Sequence, residues 1–347
     1  MSSFQISNHP VGPSAPCLLI AEVGLAHEGS LGYAQAFVDA AAAAGVDAVK
    51  FQTHIAEAES TPRENFRVPV FPQDKTRYDY WKRTGFRLEE WKQLADYVRK
   101  KGLLFLSSPF SELAVDWLIE CHVPAWKIAS GEVSNIPMLE KIAATKLPVL
   151  LSTGMSPWSE LDEATKLFRD QETPIAVFQC TTAYPCPPET WGLNLLSQLQ
   201  ERFNCPVGLS DHSGSLVPGI AAVAMGAKLL EFHITFHRGM FGPDVSSSLT
   251  MEQAGDLVRS IRALEHALAK PVDKDAVSAR SAGLRGLFNK SIVAAKHIPA
   301  GTVLSREHLA FKKPGDGMPA KEYSRVLGRT TQTDLAMDDL VRDENLI

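Results

Sequence analysis

Residues 148–179 read PVLLSTGMSPWSELDEATKLFRDQETPIAVFQ. The apolar run Pro148–Leu151 is followed by Leu161–Arg169, where Leu161, Ala164 and Phe168 recur at three- and four-residue spacing, and then by a second apolar run, Ile175–Gln179. Strand, amphipathic helix, strand is one βα unit of a parallel sheet. Working outward, runs of the same kind stand at Cys17–Glu22, Ala48–Gln52, Leu103–Ser107 and Ala125–Ile128 on one side, and at Pro206–Leu209 and Leu229–Ile234 on the other. Amphipathic segments Tyr33–Ala44, Glu89–Lys101 and Met251–Leu268 fall between or after them, and Gly45, Gly102 and Gly226 stand just past helix ends, where a left-handed cap is expected. Eight strands, each with its helix, predict an α/β chain folded as a (β/α)8 TIM barrel. A doubly wound open sheet is the alternative, but no G-x-G-x-x-G follows the first strand.

The barrel is expected over residues 1–270, a linker or isolated helix over 271–290, and a small β-rich unit over 291–347 built on Ser291–Ala295, Thr302–Leu304 and Ala310–Lys312. So small a unit is marginal alone and is expected to lean on another surface. The long interruption Ile55–Arg87 is expected over the barrel mouth. The 347 residues carry 35 Lys plus Arg against 40 Asp plus Glu, a net charge of −5, which gives no reason to expect nucleic acid as a partner. Five cysteines without C-x-x-C spacing argue for reduced thiols rather than a disulfide framework or zinc knuckle. No apolar stretch approaches the roughly 20 residues that span a bilayer, and the N-terminus lacks an apolar leader, so a cytoplasmic protein without a membrane partner is expected.

Barrels place their chemistry at the C-terminal ends of the strands, and here those ends are polar throughout. They carry Glu22; Lys50 and Gln52; Ser107 and Ser108; Lys127 with Ser130 and Glu132; Ser152; Gln179 with Thr181, Thr182 and Tyr184; Ser210, Asp211 and His212; and Glu231 with His233. A single strand-end Ser is as often a helix cap as a ligand contact. Lys50 and Lys127 say more, because each is embedded in an apolar run where an ammonium requires an anionic partner. His212 and His233 sit on adjacent strands and could converge on one divalent cation with positions left open for substrate. Two protein ligands are few for zinc, which favours Mn2+, with Mg2+ or Co2+ as alternatives. His27, His54 and His237 compete as ligands, whereas Met155 and Met240 are expected to pack and the Arg77–Arg87 charges to form a solvated face.

The chain resembles the sialic acid synthase family, the N-acetylneuraminate-type enzymes that condense phosphoenolpyruvate with an N-acetylated amino sugar. The resemblance runs in order through Ile20-Ala21-Glu22-Val23-Gly24, His27-Glu28-Gly29, Val49-Lys50-Phe51-Gln52-Thr53, Ser108-Pro109-Phe110 and Lys127-Ile128-Ala129-Ser130-Gly131-Glu132. It continues through Leu151-Ser152-Thr153-Gly154-Met155, Cys180-Thr181-Thr182-Ala183-Tyr184-Pro185, Gly208-Leu209-Ser210-Asp211-His212 and Gly242-Pro243-Asp244. The tail, with Ala300-Gly301, Lys312-Lys313-Pro314-Gly315 and Gly328-Arg329, resembles the antifreeze-like SAF domain that ends these enzymes and crosses to the partner barrel of a homodimer.

The resemblance implies that Lys50, Lys127, Ser130, Ser152, Ser210 and Ser108 hold phosphoenolpyruvate and that His212 and His233 hold the metal over the sugar aldehyde. It further implies that Glu22 orients the acceptor, that Glu132 moves a proton, that Tyr184 and Asp244 contact the sugar, that Gln52 and Thr182 bind substrate, and that Lys313 of the other subunit closes the site. Two departures bear on the acceptor. Thr182 replaces the family's usual Asn, and Phe236, His237, Met240 and Phe241 predict a less polar distal pocket, compatible with a diacetamido-trideoxy sugar (legionaminic or pseudaminic acid synthesis) as well as with N-acetylmannosamine. Competing readings are a Schiff-base aldolase using Lys127 or Lys50 and a non-enzymatic surface-binding protein.

Overall fold

The computed structural model describes residues 2–66 and 73–347 and divides into two compact units, Met1–Leu268 and Ala269–Ile347. In the first, eight strands alternate with eight helices: β1 (Leu18–Gly24), α1 (Leu31–Ala44), β2 (Ala48–Thr53), α2 (Leu88–Lys100), β3 (Leu104–Pro109), α3 (Glu112–Glu120), β4 (Trp126–Ile128) and α4 (Ile136–Ala144). Then follow β5 (Val149–Ser152), α5 (Trp158–Asp170), β6 (Ile175–Cys180), α6 (Leu195–Phe203), β7 (Val207–Asp211), α7 (Val217–Ala224), β8 (Leu229–Thr235) and α8 (Met251–Leu268). The strands pair in parallel in the order β3-β2-β1-β8-β7-β6-β5-β4. β3 and β4 lie side by side, so the barrel is nearly closed. Every strand expected in the barrel forms, with ends within two residues of those read from the sequence.

The two faces of each strand explain why. Outward residues such as Leu19, Val49, Phe105, Trp126, Val149, Val177 and Leu230 pack against the helices, as α1 does through Ala34, Phe37, Val38 and Ala41. Inward residues Leu18, Ile20, Ala48, Leu104, Leu106, Ala125, Leu150, Ala176, Phe178 and Leu229 form a separate dry core in the lower barrel. Its underside is plugged by Ile6 and Val11 of an N-terminal hairpin, Phe4–Ile6 with His9–Val11. That hairpin has no counterpart in the sequence reading, since three-residue strands show no usable period. Gly45, Gly102 and Gly226 adopt the expected left-handed conformation.

Residues 274–288, expected to lie in the linker, form two short helices, α9 (Lys274–Arg280) and α10 (Ala282–Phe288). Beyond them, β9 (Ser291–Ala294) pairs antiparallel with β10 (Leu309–Lys312) over a core of Ile292, Ile298, Leu304, Leu309, Val326, Leu335, Val341 and Leu346. The expected strand at Thr302–Leu304 is reduced to a single bridge, Val303 to Thr330, because the left-handed turn at Gly301 and a 3-10 turn from Arg306 leave room for no more. Within the 55–87 insertion, short helices Ala56–Glu59 and Arg77–Thr84 are present, and residues 67–72 lie outside the described residues. All five cysteines are buried and unpaired. Among the described residues no helix is long and apolar enough to cross a membrane.

Candidate active site

Above the dry core the inward positions turn polar, and a cavity of about 1140 Å³ opens at the C-terminal ends of the strands. It is lined by Glu22, Lys50, Gln52, Ser108, Lys127, Ser130, Glu132, Ser152, Thr182, Tyr184, Ser210, His212, His233 and Asp244, so each barrel residue to which the resemblance gave a role reaches one chamber, whereas Ser107, Gln179, Thr181 and Asp211 of the polar strand ends do not line it. Lys313 belongs to the second unit, where its ammonium lies 4.9 Å from the Phe288 ring. The strand register assembles the site. Glu22 of β1 is paired with Lys50 of β2 on one side and His233 of β8 on the other, and Glu231 of β8 with Ser210 of β7. A bulge after Glu22, with Gly24 at φ +56, shifts the β1–β2 register at the rim.

Lys127 Nζ donates to Ser152 Oγ at 2.8 Å and to Glu231 Oε1 at 3.1 Å. Lys50 Nζ lies 2.9 Å from Glu22 Oε2, 3.6 Å from Glu231 Oε1 and 3.5 Å from Ser108 Oγ. Ser210 Oγ donates to Glu231 at 3.1 Å, and Ser130 Oγ accepts the Gly154 N–H at 3.0 Å. That last contact needs a glycine: a Cβ at 154 would stand 2.6 Å from Thr182 Oγ1 and 2.9 Å from Ser130 Oγ. The anionic partner that each buried lysine requires is therefore internal to the chain rather than a bound ligand. The chain supplies its own anions, Glu22 and Glu231, the second of which carried no role in the sequence reading although it is an acid embedded in an apolar run just as the lysines are. Burial opposes the charge on Lys50, yet Glu22 and Glu231 outweigh it and raise its pKa. Burial likewise opposes ionisation of Glu231, and Lys127 and Lys50 overcome it, holding its pKa below the ordinary carboxylate range.

The histidine pair lies one step higher. The rings of His212 and His233 are 5.2 Å apart at 68°. His212 Nδ1–H donates to the Thr181 carbonyl at 2.9 Å, which leaves Nε2 as an acceptor, here 3.2 Å from the Tyr184 hydroxyl. Burial, reinforced by His233, lowers the His212 pKa to about 3, so the imidazole is neutral. His233 Nδ1 lies 3.8 Å from Asp244. A neutral ring fixed by a backbone carbonyl at one nitrogen is the form in which histidine ligates metals, so the pair fits a cation, although no set of three His, Cys, Asp or Glu side chains converges on one point among the described residues. Of the competing ligands, His27 is stacked on Phe86 away from the cavity and His237 is exposed. His54 lines the cavity, with its Nδ1 2.6 Å from Glu59.

Residues 37–273 match the NeuB family and residues 289–347 the SAF domain. The chain belongs to the NeuB family. Among its relatives in this family, N-acetylneuraminate-9-phosphate synthase of Mus musculus is 33% identical over 97% of this chain and 94% of its own. The N,N'-diacetyllegionaminic acid synthase of Campylobacter jejuni is 32% identical over 94% of this chain and 99% of its own. In three dimensions the chain is similar to the N-acetylneuraminic acid synthetase of Leptospira borgpetersenii, solved with citrate, with a TM-score of 0.72 and 29% identity over 82% of this chain and 96% of that one.

Against this NeuB-family frame three expectations are corrected. Phe236, His237, Met240 and Phe241 do not line the cavity: Phe236 packs on Phe37 at 4.3 Å behind the barrel wall, so the less polar sugar pocket drawn from these residues has no structural basis. Met155, expected to pack, is 59% exposed and stands at the cavity. The Arg77–Arg87 charges are not simply solvated, since Arg83 clamps buried Asp74 and reaches Glu28 at 2.9 Å, while Arg77 lines the cavity beside Trp81. The insertion supplies the outer wall through Glu59, Ser60, Thr61, Arg63, Glu64 and Trp81, residues the sequence reading did not single out because the segment has no period to read.

Proposed function

We propose that the protein condenses phosphoenolpyruvate with the open-chain aldehyde of an N-acetylated amino sugar to give a nonulosonate and inorganic phosphate. The observation that carries this is the convergence of Lys50 and Lys127, with Ser108, Ser152 and Ser210, directly below the His212–His233 pair. In this reading the ammonium groups and hydroxyls bind the carboxylate and phosphate of the enol, oriented by charge-assisted bonds. The enol C2=C3 electron pair attacks the aldehyde carbon, and the aldehyde oxygen takes up a proton. Water adds to C2, losing its proton to Glu132, whose pKa burial raises against the opposing hydrogen bond from Asn135. The C2–O bond to phosphate then breaks, the phosphate leaving with the bonding pair and taking up the C2 hydroxyl proton, and the ketone remains. Glu22, held by Gln52 and Lys50, faces the acceptor together with Tyr184 and Asp244.

His212 and His233 would hold a divalent cation, Mn2+ first and Mg2+ or Co2+ as alternatives, which would supply Lewis-acid polarisation of the carbonyl. Charge balance supports the requirement. Among the described lining residues the carboxylates Glu22, Glu59, Glu64, Glu132, Glu231 and Asp244 outnumber the cations Lys50, Lys127, Arg63 and Arg77, so a polyanionic substrate needs added positive charge. The resemblance adds Lys313 from a second copy, and with it a homodimer. The Schiff-base alternative is disfavoured because the nitrogens of both lysines are engaged in ion pairs, Lys50 with Glu22 and Lys127 with Glu231.

Full-length protein incubated with phosphoenolpyruvate and a panel of N-acetylated amino sugars, including phosphorylated and diacetamido-trideoxy members, tests the reading. Phosphate release should require one sugar and a divalent cation, and product masses name the acceptor. Turnover that survives EDTA removes the metal; no release with any sugar removes the function.

A further inference from the structure

His54, the first residue after β2, has no role in the reaction as described. Its side chain is buried between two aromatic faces, the Trp81 ring at 3.8 Å and 2° and the Phe110 ring at 4.1 Å and 17°. Any flat ring would fill that slot, so stacking alone does not explain an imidazole. The hydrogen bonds do. Nδ1 lies 2.6 Å from Glu59 Oε1, and Glu59 is itself anchored by the Ile55 N–H at 3.1 Å. Nε2 lies 3.3 Å from Gln52 Oε1. The Gln52 amide has only one favourable orientation, because its Nε2 donates to Glu22 Oε1 at 2.9 Å and a flipped amide would set two oxygens against each other. The ring therefore meets an accepting oxygen at each nitrogen, the Glu59 carboxylate at Nδ1 and the Gln52 carbonyl at Nε2, and a hydrogen on both nitrogens satisfies both contacts. Glu22 continues the chain to Lys50 at 2.9 Å.

We propose that His54 is a positioning residue for the acceptor half of the site: it fixes the Gln52 amide, Gln52 fixes the Glu22 carboxylate, and the insertion, through Glu59 and Trp81, thereby sets how the hydroxyl and amide groups of the sugar are read. The acceptor's identity rests on the function proposed above; the hydrogen-bonded chain does not. Orientation of this kind is set outside the groups that touch substrate and is felt through them.

Full-length His54→Phe keeps a flat ring in the slot and removes both ring nitrogens. Its kcat/KM for the acceptor sugar falls about tenfold, the cost of one lost orienting hydrogen bond, while KM for phosphoenolpyruvate is unchanged. His54→Gln, whose amide can donate, recovers most of the loss. Combined with Gln52→Ala, His54→Phe adds no further loss, because the two act through one chain. Losses that multiply, or a defect confined to phosphoenolpyruvate, overturn the proposal. A second arm is independent of turnover and of the folding of any variant. In the wild-type protein, 15N NMR of labelled histidine shows a hydrogen on His54 Nε2; a bare Nε2 overturns the positioning chain even if the sugar panel succeeds, and a protonated one upholds it even if the panel fails.

Discussion

Lys127 and Leu150 are register partners on neighbouring strands, both inward and both buried, yet they stand in opposite halves of the barrel interior. Leu150 belongs to the dry lower core. Lys127 belongs to the charged layer above it, tied to Ser152 and Glu231. The lower half does what barrels do for stability, filling the lumen with apolar side chains. The upper half forgoes that packing and retains buried charges whose mutual pairing seldom repays their desolvation. A fold keeps such a layer where a ligand uses it, which is why the contrast between the halves, more than any one residue, marks the site.

The contrast is broken or sharpened by substitutions on each side of it. Lys127→Met removes a cation from the upper layer and should lower kcat/KM for phosphoenolpyruvate by about 10³-fold, measured by phosphate release; a fall below tenfold would place the enol elsewhere. Glu231→Gln leaves Lys127 without its counter-charge and should cost about 3 kcal/mol of stability in urea denaturation. Leu150→Ala, in the lower half, should cost a comparable ~3 kcal/mol through cavity formation, while activity per folded molecule stays at the wild-type level. Glu132→Gln should lower kcat about 10²-fold. Because burial raises the Glu132 pKa, the carboxyl stays protonated to higher pH than an ordinary Glu. The acid limb of the wild-type rate profile should therefore lie above the usual carboxylate range and vanish in the variant. At the surface, Arg202→Ala breaks the exposed pair with Asp162 and should cost less than about 1 kcal/mol.

Much of this was legible in the sequence. The strands are short apolar runs whose embedded polar residues fall at their C-terminal ends, and one such run, Trp126-Lys127-Ile128, already exposes the inward lysine between two outward apolar neighbours. What sequence could not supply was the partner of each charge. Glu231 lies 104 residues from Lys127, and only barrel closure brings them together. The outer wall was illegible for a different reason: Glu59 and Trp81 come from an aperiodic insertion, and their contacts with His54 depend on its tertiary path. The acceptor pocket was misread because Phe236 was assumed to face the cavity, whereas it packs on Phe37 behind the barrel wall.

The most direct test is calorimetric titration of phosphoenolpyruvate into the full-length protein with Mn2+ present, set against Lys127→Met and Leu150→Ala. Binding that is lost in Lys127→Met and kept in Leu150→Ala is the predicted result. Equal affinity in wild type and Lys127→Met would show that the charged layer is no enol site, and the account would fail.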